Sequence, residues 1–149
     1  FGAEVLEDES CVTVIPHPLR GIDIDASQIP DLVPILAVTG ALAEGVTRIT
    51  GAARLRIKES DRLTAIADGI RRLGGKVEEL PDGLILTGVP TFLGGKAEGY
   101  NDHRIVMALS IAALCSQTTV ELTDAQSICK SYPNFFDDYK RLGGQAHVI

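Results

Sequence analysis

The sequence has no tryptophan, one methionine and only three cysteines among its 149 residues. Cys11, Cys115 and Cys129 form no C-x-x-C pair and are odd in number, which favours reduced thiols over a disulfide framework. Cys115 closes an apolar stretch, so we expect it to pack in the core. Cysteine usage of this kind predicts a cytoplasmic protein.

The chain also lacks an excess of basic residues. It carries 20 acidic and 14 basic residues and a net charge of −6. A broad basic surface that neutralises phosphates is therefore excluded, and we expect no nucleic-acid partner. An anionic ligand would need a local cationic pocket. The three histidines, His17, His103 and His147, lack metal-ligand spacing, so we predict no metal site.

Long apolar runs are absent as well. No stretch is long enough to span a bilayer, and the first residues form neither a basic nor an apolar signal region, so we expect no membrane partner. The chain does not begin with methionine, which suggests a piece of a longer protein. With 45% hydrophobic residues it is expected to form one compact unit with a real core.

The most charged feature is the segment Lys58-Glu59-Ser60-Asp61-Arg62, which precedes an amphipathic helix. The helix is predicted from apolar residues at helical spacing, namely Leu63, Ile66, Ala67, Ile70 and Leu73. A helix N-terminus has unpaired N–H groups and a positive dipole end, which favour an anion. The alternative is a solvated helix start capped by Ser60 or Asp61.

Other elements follow from alternation, helical period and turn residues. A helix that begins at Pro30 and a second one over 105–114 are apolar on every face, so both are expected to be buried. A fourth helix should open at Lys130-Ser131-Tyr132-Pro133. The predicted strands are 4–6, 11–15, 46–50, 76–79, 84–87 and 118–122, with a hairpin turn at Pro81-Asp82-Gly83.

An internal repeat organises these elements. The phrase Leu73-Gly74-Gly75-Lys76-Val77 echoes Phe1-Gly2-Ala3-Glu4-Val5, 72 residues earlier. The same shift sets Lys58 opposite Lys130, and a shift of 71 residues sets Asp31 opposite Asp102. We therefore predict an α/β (α+β) fold of repeated β-α-β-α-β-β units, about two of them, over residues 1–72 and 73–149.

The repeat predicts a site where helix N-termini meet. Four helix starts carry charged groups, and parallel helices would bring these ends to one side of the domain. Cations at a positive helix end are unfavourable unless an anion compensates them. The predicted members are Asp31, Lys58, Glu59, Arg62, Asp102, His103, Arg104 and Lys130.

These residue types suit an anionic substrate and a proton transfer. Arginine offers a planar fork to phosphate or carboxylate, and lysine offers a point charge. A carboxylate beside cations can accept a proton or orient an arginine. Plain N-capping remains an alternative for Asp31 and Asp102, and a helix-start hydrogen bond remains one for His103.

Three strings carry a resemblance to a known family. Lys58-Glu59-Ser60-Asp61-Arg62, Asn101-Asp102-His103-Arg104-Ile105 and Lys130-Ser131-Tyr132-Pro133 resemble, in order and separation, signatures of the C-terminal part of 5-enolpyruvylshikimate-3-phosphate synthases. The resemblance covers essentially the whole chain. It implies two like domains of repeated units, with helices inside and sheets outside, that close around the substrates.

The resemblance also implies a reaction, in which the enolpyruvyl group of phosphoenolpyruvate passes to the 5-hydroxyl of shikimate 3-phosphate and phosphate leaves. No cofactor or metal is implied. Asp31 resembles the base for the hydroxyl, Glu59 the group that transfers a proton at the methylene, and Lys130 a phosphoenolpyruvate ligand that assists proton transfer. The other matches are Arg62 and Arg104 as phosphoenolpyruvate clamps, Lys58 at the shikimate side, and Asp102 and His103 as orienting groups.

Two points limit what this chain can do by itself. Arg54 occupies a position where many members have asparagine, which puts one contact to the shikimate ring in question. The resemblance further implies that an N-terminal domain of the same chain supplies most shikimate 3-phosphate contacts, so the fragment alone is expected to be inactive.

Two alternative functions are compatible with the sequence. One is the related enolpyruvyl transferase that acts on UDP-N-acetylglucosamine, although the Lys-Glu-Ser-Asp-Arg and Asn-Asp-His-Arg strings argue against it. The other is a noncatalytic anion-binding module that kept the scaffold.

Overall fold

The computed structural model describes residues 1–147, so the last two residues of the second predicted unit lie outside it. Its four α-helices are α1 (Val33–Leu42), α2 (Arg62–Arg72), α3 (His103–Ala113) and α4 (Phe135–Arg141). Its strands are β1 (Glu4–Glu7), β2 (Val12–Ile15), β3 (Asp23–Asp25), β4 (Val46–Thr50), β5 (Lys76–Leu80), β6 (Gly83–Thr87), β7 (Gly95–Ala97) and β8 (Val120–Leu122). Short 3₁₀ turns cover Pro30–Leu32, Ala53–Ile57 and Ala125–Lys130.

The strands form three sheets. A four-stranded sheet has the order β3-β4-β6-β5, in which β3 runs parallel to β4 and the other neighbours are antiparallel. The hairpin β1-β2 and the parallel pair β7-β8 are separate two-stranded sheets. Asp23 pairs with Arg48, and Gly95 pairs with Val120, so the same parallel pairing recurs after 72 residues. The boundary between units at residue 72 stays a prediction.

The main core lies between helices α1, α2 and α3 and one face of the four-stranded sheet. On β4 the side chains of Thr47 and Ile49 are buried, whereas Val46 and Arg48 are exposed. This alternation places the helices on one face of the sheet and solvent on the other. The predicted apolar face of α2 is confirmed, since all five of its residues are fully buried: Leu63, Ile66, Ala67, Ile70 and Leu73.

Burial of the first apolar helix is only partial. Val33, Ala37 and Ala41 are fully buried, but Leu32, which caps the helix, is 46% exposed and Ile35 is half-buried. The prediction that this helix is buried on every face is therefore wrong, because no element within residues 1–147 fully covers Leu32 and Ile35. Cys115 is also exposed rather than in the core, since α3 ends at Ala113 and the chain turns out to solvent.

Two charged segments lie on turns rather than at helix starts. Lys58 ends the 3₁₀ turn Ala53–Ile57 in an extended conformation, and α2 begins only at Arg62. Lys130 ends the turn Ala125–Lys130, and α4 begins at Phe135 instead of at Lys130. A residue before proline is disfavoured in the helical conformation, so Tyr132-Pro133 delays the helix. Among residues 1–147, no helix is both long and apolar enough to cross a membrane.

Candidate active site

Arg62 is the centre of the charged cluster. It is the first residue of α2 and is only 1% exposed. Its Nε and Nη2 donate to the two carboxylate oxygens of Asp102 at 2.8 and 3.2 Å, and Nη2 also donates to Glu59 at 2.6 Å. Its Nη1 donates to Asp31 at 2.9 Å. One buried guanidinium thus joins three carboxylates, and we refer to these four residues as the Arg62 cluster.

Asp102 is the buried anchor of this cluster. It is fully buried, caps α3 by accepting from the Arg104 backbone N–H at 2.9 Å, and accepts from Ser60 Oγ at 3.0 Å. Burial alone would raise the pKa of Asp102, but the hydrogen bonds from Arg62, Arg104 and Ser60 and the charge of Arg62 lower it. Burial likewise opposes the charge on Arg62, yet its hydrogen bond with Asp102 and the three carboxylates raise its pKa. The two groups hold each other ionised.

Asp31 faces the cations from the turn that precedes α1. Its side chain is about half exposed, and its carboxylate lies 2.9 Å from Arg62 Nη1 and 3.7 Å from both Lys58 Nζ and Arg104 Nη2. In the described structure it caps neither the 3₁₀ turn nor α1. The capping alternative therefore holds for Asp102, which caps and binds Arg62 together, and fails for Asp31.

The remaining predicted residues surround these carboxylates. Lys130 is exposed, and its Nζ donates to the backbone carbonyl of Asn101, the neighbour of Asp102. His103 is 7% exposed, with Nδ1 4.0 Å from Asp102 Oδ1. Within the described residues, His103 Nδ1 and Arg104 Nε are buried without a hydrogen-bond partner. Contacts therefore link seven of the predicted residues around Arg62 and Asp102, and Lys130 binds the backbone next to Asp102.

The cations in and around the Arg62 cluster differ in how exposed they are. Lys58, Arg104 and Lys130 keep partly or fully exposed side chains, whereas every nitrogen of Arg62 donates to a carboxylate. A ligand can reach the first three directly, but it can reach Arg62 only if a carboxylate moves.

An apolar groove of about 230 Å³ between α1 and α3 opens beside Asp31 and Arg104. Among the described residues, no three carboxylate, histidine or cysteine side chains are grouped to hold a metal ion.

Sequence reasoning missed two contributors to this geometry. The sequence pattern predicts only a capping role for Ser60, but Ser60 donates to Asp102, and Asp61 caps α2 by accepting from the Thr64 N–H at 3.1 Å. Arg56 binds Asp61 at 2.8 Å and was not singled out. The local sequence signal for Arg56 is that it follows Arg54 and stands two residues before Lys58. Arg54, for which the family resemblance leads us to expect asparagine, is exposed.

Comparison with known proteins identifies the family. The family model for EPSP synthase (3-phosphoshikimate 1-carboxyvinyltransferase) matches residues 1–139. The 3-phosphoshikimate 1-carboxyvinyltransferase of Clostridium acetobutylicum is 56% identical over 140 residues, which cover 94% of this chain and 33% of that protein. The chain thus spans about a third of the length of the curated relatives it matches.

Solved structures share the fold of this chain. An EPSP synthase from Acinetobacter baumannii superposes with a TM-score of 0.86 at 32% identity, over 97% of this chain and 37% of that one. The enolpyruvyl transferase NikO from Streptomyces tendae gives a TM-score of 0.74 at 26% identity, over 97% and 33% of the two chains. The expected repeated α/β fold is therefore confirmed. With its family match over residues 1–139, the chain belongs to the EPSP synthase family.

Proposed function

We propose that this chain forms one part of the active site of a 3-phosphoshikimate 1-carboxyvinyltransferase. The whole enzyme would transfer the enolpyruvyl group of phosphoenolpyruvate to the 5-hydroxyl of shikimate 3-phosphate and release phosphate, in the shikimate pathway of aromatic amino acid biosynthesis. The observation that carries the proposal is the Arg62 cluster, which gathers Asp31, Glu59 and Asp102 from three segments. Lys58 and Arg104 lie beside its Asp31, and Lys130 binds the backbone of Asn101 next to Asp102.

Phosphoenolpyruvate fits the accessible cations. It carries a carboxylate and a phosphate, and Arg104 offers a planar fork while Lys58 and Lys130 offer point charges. The phosphate gains charge as it leaves, so cations placed around it stabilise the transition state more than the bound substrate. Arg62 contributes by orienting the carboxylates, and it would contact substrate only after one of them is displaced. Asp102 accepts a hydrogen bond from the backbone N–H of Arg104, and Asp102 and His103 would help to orient that arginine.

The two accessible carboxylates suit the two proton transfers. Asp31 would accept the proton of the 5-hydroxyl as that oxygen attacks C2 of phosphoenolpyruvate, and Glu59 would deliver a proton to the methylene carbon. The resulting tetrahedral ketal phosphate then loses phosphate and a methyl proton, which restores the double bond. Lys130 would bind phosphoenolpyruvate and assist proton transfer. None of these steps calls for a metal or cofactor.

The rest of the site would come from the remaining part of the longer protein. The chain spans a third of its curated relatives, and the Arg62 cluster is open to solvent on one side through Asp31 and Glu59. We propose that an N-terminal domain supplies further ligands and that the 149-residue chain alone has no turnover. A cytoplasmic location, consistent with three free cysteines, is part of the same proposal.

A grafted enzyme tests the proposal. The corresponding third of the Clostridium acetobutylicum enzyme is replaced by this chain, and phosphate release is measured with phosphoenolpyruvate and shikimate 3-phosphate. We expect activity with shikimate 3-phosphate and none with UDP-N-acetylglucosamine as acceptor. A folded graft that is inactive with shikimate 3-phosphate contradicts the function, and one that works with the nucleotide sugar supports the related transferase.

Site roles are tested in the same graft. Asp31→Ala, Glu59→Ala and Lys130→Ala should each lower kcat/KM by at least about a hundredfold, because each removes a proton-transfer or anion-binding group. Matched exposed controls that should leave activity unchanged are Asp137→Ala, Glu44→Ala and Lys140→Ala. Wild-type activity in any of the first three variants shows that the role given to that residue is wrong.

A further inference from the structure

Arg56 is outside the predicted set of site residues, but it makes extensive polar contacts. It lies in the 3₁₀ turn Ala53–Ile57. Its Nε donates to the carbonyl of Pro81 at 2.9 Å and its Nη2 to the carbonyl of Leu80 at 2.7 Å. Its Nη1 donates to Glu79 on β5 at 2.9 Å. Three of its partners therefore belong to the end of β5 and the turn of the β5-β6 hairpin.

The same side chain also holds the start of α2. Arg56 Nη1 donates to Asp61 Oδ2 at 2.8 Å, and Asp61 is the N-cap of that helix. The hydrogen bonds to Asp61 and Glu79 raise the pKa of Arg56, so its guanidinium stays charged in these contacts. Arg56 thus connects the β5-β6 hairpin to the first turn of α2.

The site loop, residues 58–60, lies between Arg56 and Asp61 in the sequence. Glu59 binds Arg62 at 2.6 Å, Ser60 donates to Asp102 at 3.0 Å, and Lys58 lies 3.7 Å from Asp31. Each of these contacts is made by a side chain, so the path of the loop backbone depends on what holds its two ends. Arg56 lies two residues before Lys58, and it binds Asp61, the residue directly after the loop.

The second repeat shows that an arginine is not required by the fold at this position. Ile128 lies 72 residues after Arg56, in the turn Ala125–Lys130, and packs in an apolar cluster with Phe135 and Tyr139. The turn that ends at Lys130 is therefore held by apolar packing. In the first repeat, the corresponding turn, which precedes the loop with Glu59, is instead held by the hydrogen bonds of Arg56.

We propose that Arg56 is a positioning residue, which fixes the site loop against the β5-β6 hairpin so that Lys58 and Glu59 face Asp31 and Arg62. The inference rests on the proposed function, because it assigns Arg56 a part in the same reaction. Arg56 acts through the loop and does not touch substrate. Without it, the loop loses the anchor at both ends, and we expect the side chains of Lys58 and Glu59 to shift relative to Asp31 and Arg62.

The test uses the active graft described above and compares Arg56→Met with Arg71→Met. Arg71 is a matched control, because it is an exposed arginine that also donates to a β5 carbonyl, that of Val77 at 3.3 Å, but at the far end of α2. Misplacement of a reacting group by about 1 Å costs about a hundredfold in rate. We expect Arg56→Met to lower kcat/KM by about 10- to 100-fold and Arg71→Met to lower it by less than about twofold.

A double-mutant cycle separates positioning from a general loss of folded protein. If Arg56 acts through Glu59, then Arg56→Met lowers kcat/KM much less in a Glu59→Gln background than in the unmodified graft. A purely structural role lowers it by the same factor in both backgrounds, and that result overturns the proposal. Equal kcat/KM for Arg56→Met and Arg71→Met overturns it as well.

Glu79→Gln provides a second variant in case Arg56→Met does not fold. It keeps Arg56 and weakens one of its hairpin contacts, so we expect a smaller loss that is again suppressed by Glu59→Gln. Full additivity with Glu59→Gln contradicts the proposal here too. An unmodified graft that is folded and inactive refutes the proposed function instead, so the two failures are distinguishable.

Discussion

At the scale of single residues, the site depends on one buried ion pair. Arg62 and Asp102 are 1% and 0% exposed, and neither could be buried alone without a large desolvation cost. Local sequence indicated that Asp102 could cap a helix, and it does. Its second role, as the partner of an arginine 40 residues earlier, depends on the packing of α2 against α3.

Removal of that carboxylate charge should be costly. Asp102→Asn leaves the Arg62 charge buried without its main partner, and we expect the free energy of unfolding to fall by about 3–5 kcal/mol. Urea denaturation of the 149-residue chain measures this change. Asp137→Asn, at an exposed position of α4, should change it by less than about 0.5 kcal/mol. Equal losses in the two variants would contradict the buried pair.

The same pair predicts how stability depends on pH. The pKa of Asp102 is lowered in the folded chain relative to its ordinary value of 3.8, and the pKa of Asp61 shifts in the same direction. The unfolded chain therefore takes up protons first as the pH falls. The stabilisation is complete above about pH 5 and is lost as the pH drops below 4 through the folded-state pKa values.

Urea denaturation between about pH 6 and pH 2 checks this direction. We expect the free energy of unfolding to fall with decreasing pH, and to fall less steeply in Asp102→Asn, which has lost one of the titrating groups. An identical slope in the two proteins would show that Asp102 does not carry the effect.

At the scale of elements, glycine positions show how packing changes the meaning of a local signal. Pro81-Asp82-Gly83 predicts the β5-β6 hairpin turn, and the strands on either side are observed. Gly83 is not needed for a left-handed backbone, since its φ is not positive. A Cβ at this position would lie 1.9 Å from the carbonyl oxygen of Ile49 on β4. The close approach of β4 to Gly83 therefore explains why a residue without a Cβ is needed at this position.

Gly83→Ala should therefore be strongly destabilising. Either β6 or β4 must shift to remove the clash, and we expect a loss of about 3 kcal/mol or more in the free energy of unfolding. Gly45 is the control, because its φ of +89° costs an alanine about 1–2 kcal/mol while nothing lies within 4 Å of the added carbon. Thermal or urea denaturation compares the two. A smaller loss for Gly83→Ala than for Gly45→Ala would refute the steric explanation.

At the scale of the whole molecule, the two hairpins of the repeat differ in what covers them. Leu84 and Leu86 of β6 are fully buried beneath the helices. The residues 72 positions earlier, Val12 and Val14 of β2, are 60% and 59% exposed. Within residues 1–147, β1 and β2 pair only with each other. An isolated two-stranded hairpin is only marginally stable in water.

Hydrogen exchange should reveal this difference. We expect the amides of β1 and β2 in the 149-residue chain to exchange at least about a thousandfold faster than those that pair β4 with β6, because local opening of the hairpin exposes no core. Mass spectrometry after proteolysis resolves the two regions. Equal protection of both hairpins would mean that β1-β2 is held by contacts outside its own sheet.

Sequence by itself determined the local features of this protein. The apolar spacing from Leu63 to Leu73 predicted the buried face of α2, the β5-β6 turn was placed correctly, and the three carboxylates that contact Arg62 are among the predicted residues. These features depend on helical period, strand alternation and capping, which act between residues a few positions apart. The order of elements and the family resemblance follow from the same short patterns.

Only the tertiary structure decided how the charges are paired. Arg62 reaches Asp31 and Asp102 across 31 and 40 residues, and Arg56 reaches Leu80 and Pro81 across 24 and 25. Spacing in the sequence carries no information about such contacts, because they depend on the packing of α2 against α3 and of the hairpin against the loop. For that reason Arg62 was interpreted as an open substrate clamp, whereas in the folded chain three carboxylates occupy its donors.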